Sequence, residues 1–312
     1  MGMRIIFGWK GSFEKGISNR MVDGSRNEMN SGVLYLVATP IGNLEDITYR
    51  AVRILQEVDL ILAEDTRTSG KLLSHYGIKT PTTSYHEHNK FSKLPVLLSK
   101  LEEGKSLALI SDAGTPGISD PGEELVAACV EKGIEVYAIP GAVAAICALT
   151  SSGISGRRFA FEAFLPKKKK KRQQVLHELK QETRTIVLYE APHHLKALLE
   201  ELMDALGDRN IVLCRELTKR YEEKTKTTFS EALQKYETVD PRGEYVVIIE
   251  GKTENDVENR DNRQWNDITI EEQMEIYMNR GLERGEAMKQ VAKMRGLRKR
   301  EVYEALLEAK ET

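Results

Sequence analysis

The stretch "SLALISDAGTPGISDPGEELVAACVEKG" (residues 106–133) is typical of a buried strand, a glycine-rich loop and a helix in succession. Its loop, "SDAGTPGISDPG" (111–122), holds three glycines, two prolines and two aspartates. A loop of this composition lets the main chain approach a ligand closely. It has no lysine or arginine, and the chain has neither a P-loop nor a strand-linked dinucleotide-binding signature. A nucleotide phosphate is therefore a poor fit to this loop.

The same alternation of strand and helix extends over residues 33 to about 150. The continuous apolar runs predict strands covered on both faces, and amphipathic segments between them predict helices. The predicted strands are 33–38, 58–63, 106–110 and 134–139, and the predicted helices are 45–56, 67–76, 90–103 and 122–132. This order predicts a mainly parallel sheet with helices on both sides.

A second set of apolar runs predicts another α/β domain, in which antiparallel strands are also compatible with the pattern. These runs are 158–164, 185–190, 210–217 and 244–251. We therefore divide the chain by composition into five parts. They are a disordered tail or mis-assigned start (1–31), an N-terminal α/β cofactor-binding domain (32–153), a second α/β domain (154–251), a polar linker (252–267) and a helical C-terminal domain (268–312).

The bulk composition is that of a globular protein, with 40% apolar and 30% charged residues in a chain of 312. No apolar run approaches the roughly 18 residues that a membrane span needs. The three cysteines are far apart in the sequence, so we expect neither a disulfide nor a zinc site, and a cytoplasmic location fits. The net charge of −2 means that any RNA-binding face must be local.

Three loops that contain Gly and Pro follow predicted strands directly. Open α/β sheets bind their ligands in this position, at the carboxyl ends of the strands. They are 38–46, 111–122 and 139–145. Acids beside bare backbone suit a ligand with hydroxyls, an amino group and a positive charge. S-adenosylmethionine has all three and no phosphate. In the alternative interpretation, Gly and Pro only make tight turns and Asp120 caps the next helix.

Eight segments in order resemble the bacterial ribosomal RNA small-subunit methyltransferase I family, of the tetrapyrrole-methylase-like class. They are "VATPIGNLEDIT" (37–48), "AEDTR" (63–67), "SDAGTPGISDPG" (111–122), "IPGA" (139–142), "FEAFLP" (161–166), "YEAPHH" (189–194), "RELTKRYEE" (215–223) and "GEYVVIIEG" (243–251). The resemblance implies two α/β domains with the methyl donor in the cleft between them, and a homodimer; the small C-terminal helical domain is predicted from the pattern of the last 45 residues. It also implies 2′-O-methylation of a cytidine in the decoding region of 16S ribosomal RNA. Either the free RNA or the assembled small subunit could be the substrate.

The resemblance also supplies candidate residues for binding S-adenosylmethionine. They are Pro40, Asp112, Gly114, Thr115, Gly117, Gly141, Ala142, Ser151 and Glu190. Two positions depart from the family pattern. His194 stands where Arg is usual, which leaves its role open, and Ala163 stands where Gly is common, which we expect to be a minor change.

Two clusters at strand ends are candidates for accepting the proton of a ribose hydroxyl. The first is Glu64, Asp65 and Arg67, and the second is Glu190 and His193. Three alternatives stay open: Asp65 and Arg67 form a structural ion pair, His193 only begins a helix, or water takes the proton. No third ligand accompanies the histidines of "SYHEHNK" (84–90), so we expect no metal site.

A run of six cations follows "FEAFLP" and is the strongest signal for RNA in the sequence. The candidate RNA-binding residues are Lys167, Lys168, Lys169, Lys170, Lys171 and Arg172, with Arg215 and Lys219 extending the face. A solvated surface is the alternative for such a run. Two rival functions remain: a tetrapyrrole C-methyltransferase of the same fold, and an RNA-binding ribosome-assembly factor without catalysis.

Overall fold

The computed structural model describes residues 31–252, 268–279, 281–295 and 297–308. Residues 1–30 and 253–267, which hold most of the predicted tail and linker, lie outside the described residues. Within these four ranges, no helix combines the length and the hydropathy needed to cross a membrane.

The first sheet has five parallel strands in the order β3-β2-β4-β1-β5, as the alternation of strands and helices predicts. Its strands are β1 (Val33–Val37), β2 (Leu60–Ala63), β3 (Thr82–Ser84), β4 (Leu107–Ile110) and β5 (Glu135–Ile139). The helices that follow them are α1 (Tyr49–Glu57), α2 (Thr66–His75), α3 (Lys90–Glu102), α4 (Glu123–Glu131) and α5 (Ala144–Ser151), with a short 3₁₀ helix at Leu44–Asp46.

Strand β4 is buried on both faces, which explains why the sequence of a central strand is continuously apolar. Leu107 and Leu109 pack on one side with residues of α3 and α4, whereas Ala108 and Ile110 pack on the other side with residues of α1 and α2. All four side chains are at most 1% exposed. Full burial of a Leu or Ile side chain contributes about 1.5–3 kcal/mol, so both faces of this strand stabilise the sheet.

Strand β5 does not follow the prediction of burial on both faces. It pairs only with β1 and forms an edge of the sheet, where Glu135, Tyr137 and Ala138 are exposed. The apolar run 134–139 therefore marks an edge strand. The sequence does not predict strand β3, because this strand has three residues, "TTS", and no apolar signal.

The second sheet is mixed and has the order β6-β7-β10-β8-β9. Only the β6–β7 pair is parallel, and the other three pairs are antiparallel. Its strands are β6 (Phe159–Ala163), β7 (Thr185–Glu190), β8 (Asn210–Arg215), β9 (Glu223–Thr228) and β10 (Tyr245–Ile249). Strand β9 was also missed, since "EKTKTT" is polar throughout.

The two faces of the second sheet have different neighbours. One face packs on α6 (Lys169–Leu179), α7 (Pro192–Leu206) and α8 (Phe229–Thr238) around a buried core that includes Leu188, Leu198 and Phe229. The other face packs against α5 of the first half, where Ala148 and Leu149 meet Val187 and Val246. Helix α5, which follows the last strand of the first sheet, therefore joins the two sheets.

The described C-terminal residues form three helices: α9 (Ile270–Asn279), α10 (Arg284–Arg295) and α11 (Lys299–Glu308). Their core contains Met274, Val291 and Val302. Arg295 donates to the side chain of Gln273 at 2.5 Å and to the carbonyl of Ile268 at 2.7 Å, which ties α10 to the start of α9.

Candidate active site

A cavity of about 490 Å³ lies between the two sheets. Its first wall consists of the loops that follow β1, β2, β4 and β5, and its second wall consists of β7, β8, β10 and the segment after β6. The cavity therefore lies at the carboxyl ends of the parallel strands, where open α/β sheets bind ligands. Its volume falls within the usual range for small-molecule sites.

The loop after β4 is fixed by hydrogen bonds to two neighbouring loops. Thr39 and Gly114 exchange backbone hydrogen bonds of 2.8 and 3.2 Å, and the Thr115 hydroxyl donates to the carbonyl of Ala142 at 3.2 Å. Gly114 has a φ of +87°, and a Cβ there would lie 3.3 Å from Ile41 Cγ2. A glycine is therefore required for this conformation and this close approach.

Three carboxylates line the first wall: Glu64, Asp112 and Asp120. Burial raises the pKa of Glu64, and the negative charge of Asp112 raises it further. Burial also raises the pKa of Asp120 to about 6, with the charge of Glu64 as the next cause. Asp112 Oδ1 accepts the backbone N–H of Asp65 at 3.1 Å, which connects the loops after β2 and β4. The first wall thus concentrates negative charge.

The second wall contributes aromatic side chains and one buried acid. Tyr189 lies with its ring centroid 5.1 Å from that of Phe161 and 5.7 Å from that of Phe164. Burial raises the pKa of the Tyr189 hydroxyl, which accepts the backbone N–H of Ala145 at 3.0 Å. Glu190 is 7% exposed, and its Oε1 accepts the N–H of Ala191 at 2.8 Å.

A bulge near the end of β6 places Phe164 at the cavity. The register with β7 shifts between Phe161 and Ala163, and Ala163 has a φ of +50°. The left-handed region costs a residue with a Cβ roughly 1–2 kcal/mol. Alanine at this position therefore adopts a strained backbone conformation, which glycine would adopt without that cost.

The predicted donor-binding residues fall into two groups. Asp112, Gly114, Thr115 and Glu190 line the cavity. The others lie in adjoining segments and are not among its lining residues. They are Pro40 beside the Thr39–Gly114 bridge, Gly117 in the loop after β4, Gly141 and Ala142 in the loop after β5, and Ser151 in the last turn of α5, where its hydroxyl donates to the carbonyl of Cys147 at 2.7 Å.

The candidates for proton transfer are also divided. Glu64 and Glu190 line the cavity. Asp65 caps α2 and forms an ion pair with Arg67 at 3.0 Å. The hydrogen bonds that Arg67 donates to Asp65 lower the pKa of this carboxyl. The Arg67 side chain is 90% exposed. His193 is exposed on the first turn of α7, one residue after its initiating Pro192.

Exposure and pairing distinguish the predicted RNA-binding residues. Lys167–Lys171 are all exposed, whereas Arg172 forms an ion pair with Glu201 at 2.5 Å. Two further predicted cations are paired within the protein: Arg215 with Glu223 at 3.1 Å, and Lys219 with Glu216 and Glu244 at 2.9 Å each. The five lysines are therefore the better-placed cations for a partner.

Some side chains at the cavity were not proposed from the sequence. Asp120 does not cap α4, whose N-cap is Gly122, and it lines the cavity instead. Phe164 lies within the quoted segment "FEAFLP", yet its exposure depends on the bulge, which has no sequence signal of its own. In the described part of the chain, no three His, Cys, Asp or Glu side chains, the three carboxylates of the first wall included, are placed to hold a metal ion together.

Comparison with known proteins establishes the class to which this fold and site belong. The sequence model of the Tetrapyrrole (Corrin/Porphyrin) Methylases matches residues 33–233. The structure is similar to cobalt precorrin-4 methyltransferase (TM-score 0.54, 16% identity, 70% of this chain and 94% of that chain). It is also similar to diphthine synthase (TM-score 0.56, 13% identity, 71% and 91%). The protein is thus a methyltransferase with the tetrapyrrole methylase fold.

More similar relatives define the family within that class. Proteins named Ribosomal RNA small subunit methyltransferase I are 50% identical in Synechocystis sp. (89% of this chain, 98% of that protein) and 46% identical in Bacillus subtilis (88% and 94%). The protein of that name from Haemophilus influenzae is 52% identical (72% and 81%). The chain belongs to the ribosomal RNA small subunit methyltransferase I family.

Proposed function

We propose that the protein uses S-adenosylmethionine to methylate the ribose 2′-hydroxyl of a cytidine in the decoding region of 16S ribosomal RNA. One observation carries this proposal: a single cavity has carboxylates on one wall and aromatic side chains on the other. The chain that holds this cavity belongs to a methyltransferase family. The substrate is proposed from the names of the relatives, and the 2′-hydroxyl from the family resemblance of the sequence motifs.

The residues of the first wall fit the proposed donor. Glu64, Asp112 and Asp120 provide negative charge for a ligand that carries a sulfonium and an ammonium group. A phosphate-bearing cofactor would be repelled by the same three groups. Gly114 brings bare backbone to the cavity, and Thr115 adds a hydroxyl oxygen. When bound, S-adenosylmethionine supplies an activated methyl group.

The chain must then orient the ribose hydroxyl and accept its proton. Glu64 and Asp120 are placed for this role, since both line the cavity and both have raised pKa values. A carboxylate whose pKa approaches the working pH accepts a proton more readily than one with the usual value near 4. Fixed orientation in the cavity contributes further to the rate.

The proposed partner is the small ribosomal subunit or its 16S RNA, and the proposed working form is a cytoplasmic homodimer. The exposed lysines at 167–171 support an RNA partner, because a run of unpaired cations attracts phosphates. The dimer and the location rest on the family resemblance.

The test is transfer of radiolabelled methyl from S-adenosylmethionine to small subunits from a strain that lacks this gene. Alkali cleaves RNA beside a free 2′-hydroxyl and leaves a 2′-O-methylated linkage intact. Label in an alkali-resistant dinucleotide that contains cytidine supports the proposal. Label in alkali-sensitive products means base methylation and contradicts it. Absence of label on subunits and on naked RNA, with donor binding intact, favours a tetrapyrrole substrate instead.

A further inference from the structure

We propose that Phe164 is the surface on which the base of the target nucleotide stacks, while Lys167–Lys171 hold the adjoining phosphates. This inference rests on the proposed function and assigns the place of the RNA within it. The sequence motifs by themselves assign no role to Phe164.

The position of Phe164 is unusual for a phenylalanine. It lines the cavity and is 54% exposed, whereas the next residue, Leu165, is 5% exposed and anchors the chain in the core of the second sheet. The left-handed Ala163 before it turns the backbone at the bulge. A strained residue on one side and a buried anchor on the other therefore fix the position of Phe164 at the cavity.

The ring of Phe164 packs against another aromatic ring, that of Tyr189. Tyr189 lies 5.7 Å away between centroids, tilted by 60°, and is itself held by Phe161 and by the N–H of Ala145. A rigid aromatic group loses little conformational entropy when a ligand stacks on it. Stacking of a base on an aromatic side chain is a common mode of recognising single-stranded RNA.

The charges around Phe164 indicate RNA as the occupant. Lys167 follows three residues later, so its Cα lies within roughly 11 Å of that of Phe164 along an extended chain. Lys167–Lys171 are exposed, and no ion pair is formed by them among the described residues. The proposed donor has no phosphate and gains nothing from five cations, whereas a nucleotide that stacks on Phe164 has phosphates on both sides.

The two walls therefore differ in what they offer: the first has three acids, whereas the second has the aromatic rings beside two acids, Glu190 and Glu244. The carboxylates Glu64, Asp112 and Asp120 face a cationic donor, and they would repel a phosphate. The exposed lysines follow Phe164 of the aromatic wall three residues later in the chain. With the donor on the first wall and the base on Phe164, the ribose between base and phosphates is brought toward the carboxylates that accept its proton.

The experiment compares Phe164→Ala, Phe164→Leu and Phe164→Tyr in the full-length protein. Steady-state methyl transfer to unmethylated small subunits gives kcat and KM, and calorimetry gives the Kd for S-adenosylmethionine. We expect Phe164→Ala and Phe164→Leu to lower kcat/KM for subunits about 10-fold or more, and Phe164→Tyr, which keeps the ring, to lower it much less. The donor Kd should change less than twofold. Phe91→Ala, at a 68% exposed phenylalanine on α3, is the matched control and should match wild type in both.

Three results would overturn the inference. One is an unchanged kcat/KM in Phe164→Ala. Another is full activity in Phe164→Leu, which keeps apolar volume but has no ring. The third is a donor Kd that rises by the same factor as kcat/KM falls, because Phe164 would then hold the adenine of the donor. If wild-type protein itself transfers no methyl group to subunits, the proposed function fails, and that outcome is distinct from all three.

Discussion

The hydroxyl of Tyr189, on the second sheet, accepts a hydrogen bond of 3.0 Å from the backbone N–H of Ala145, in the first turn of α5. The first N–H groups of a helix have no partner within the helix, so a side chain that supplies an acceptor there stabilises the helix end. The same side chain lines the cavity. One contact thus joins the two halves of the protein and fixes part of the candidate active site.

Tyr189→Phe removes this acceptor and leaves the aromatic ring in place. We expect the free energy of unfolding to fall by about 1 kcal/mol, because the N–H of Ala145 loses its partner. Urea denaturation measures the change. Tyr49→Phe, at a 98% exposed tyrosine, is the control and should have no effect. Equal stability of wild type and Tyr189→Phe would show that the bond contributes nothing to the junction.

Asp112→Asn tests the acidic wall as a donor site. The amide oxygen can still accept the N–H of Asp65, so the loop should keep its conformation, but the negative charge is lost. Hydrogen bonds to charged groups contribute about 1.5–3 kcal/mol, so the Kd for S-adenosylmethionine should rise at least 10-fold. Isothermal titration calorimetry gives the Kd, with the exposed Asp204→Asn on α7 as control. An unchanged Kd would remove Asp112 from the site.

The raised pKa of Asp120 predicts a pH dependence of stability. The folded state binds the proton more tightly than the unfolded state, so the stabilising contribution is complete below pH ~4 and is lost as the pH rises through about 6. Asp120→Asn removes this loss. Wild type should therefore lose ~1 kcal/mol of its free energy of unfolding between pH 5 and pH 7.5, after allowance for solvent screening, and the variant should not. The difference in stability between variant and wild type should shift by this amount in favour of the variant at pH 7.5.

Urea denaturation at the two pH values tests this, with Asp240→Asn, at an exposed aspartate, as the reference. A difference between Asp120→Asn and wild type that is the same at pH 5 and pH 7.5 would contradict the raised pKa. Glu64 also has a raised pKa from burial and contributes in the same direction, so some pH dependence should persist in the variant.

Ala163→Gly should stabilise the protein. At a φ of +50°, glycine avoids a cost of roughly 1–2 kcal/mol and loses about 0.5–1 kcal/mol through its greater freedom in the unfolded chain. The net gain is about 0.5 kcal/mol in the free energy of unfolding. Ala163→Val should destabilise, since a β-branched side chain is poorly tolerated there. A loss of stability in the glycine variant would mean that the bulge carries no strain.

Replacement of the lysines at 167–171 by Gln should weaken binding to small subunits and reduce its salt dependence. Each phosphate contact contributes ~0.7–0.9 to the slope of log K against log salt, so the slope should fall by about 2 or more. Filter binding over a series of salt concentrations measures it. Arg172→Gln is the control: Arg172 is paired with Glu201, and its loss should leave the slope intact. An unaltered slope after removal of the lysines would identify the run as solvated surface.

The sequence was sufficient to predict the architecture where burial is strong. The strands β1, β2 and β4 follow from apolar runs and the helices between them from amphipathic segments, and the glycine-rich loop lies at the carboxyl end of β4, as the order of elements predicts. Strands β3 and β9 were missed because their stability comes from pairing with buried neighbours and not from their own side chains. The edge position of β5 depends on strand order, which an apolar run does not encode.

The candidate site was predictable in the first sheet and much less so in the second. Asp112, Gly114 and Thr115 belong to one continuous loop, so their proximity is local information. Tyr189 and Phe164 reach the cavity only because two sheets pack across α5 and a bulge turns the end of β6. Such placements arise from tertiary packing, and no periodicity in the chain reports them.

The acidic wall also bears on how the enzyme turns over. The sulfur of the proposed donor changes from a charged sulfonium to an uncharged thioether once its methyl group has left, so any attraction from Glu64, Asp112 and Asp120 to that sulfur would weaken on transfer. Under the proposed function we therefore expect the spent product to bind less tightly than fresh donor, which favours its exchange for donor. The same charges that recruit the donor would thereby limit inhibition by the product.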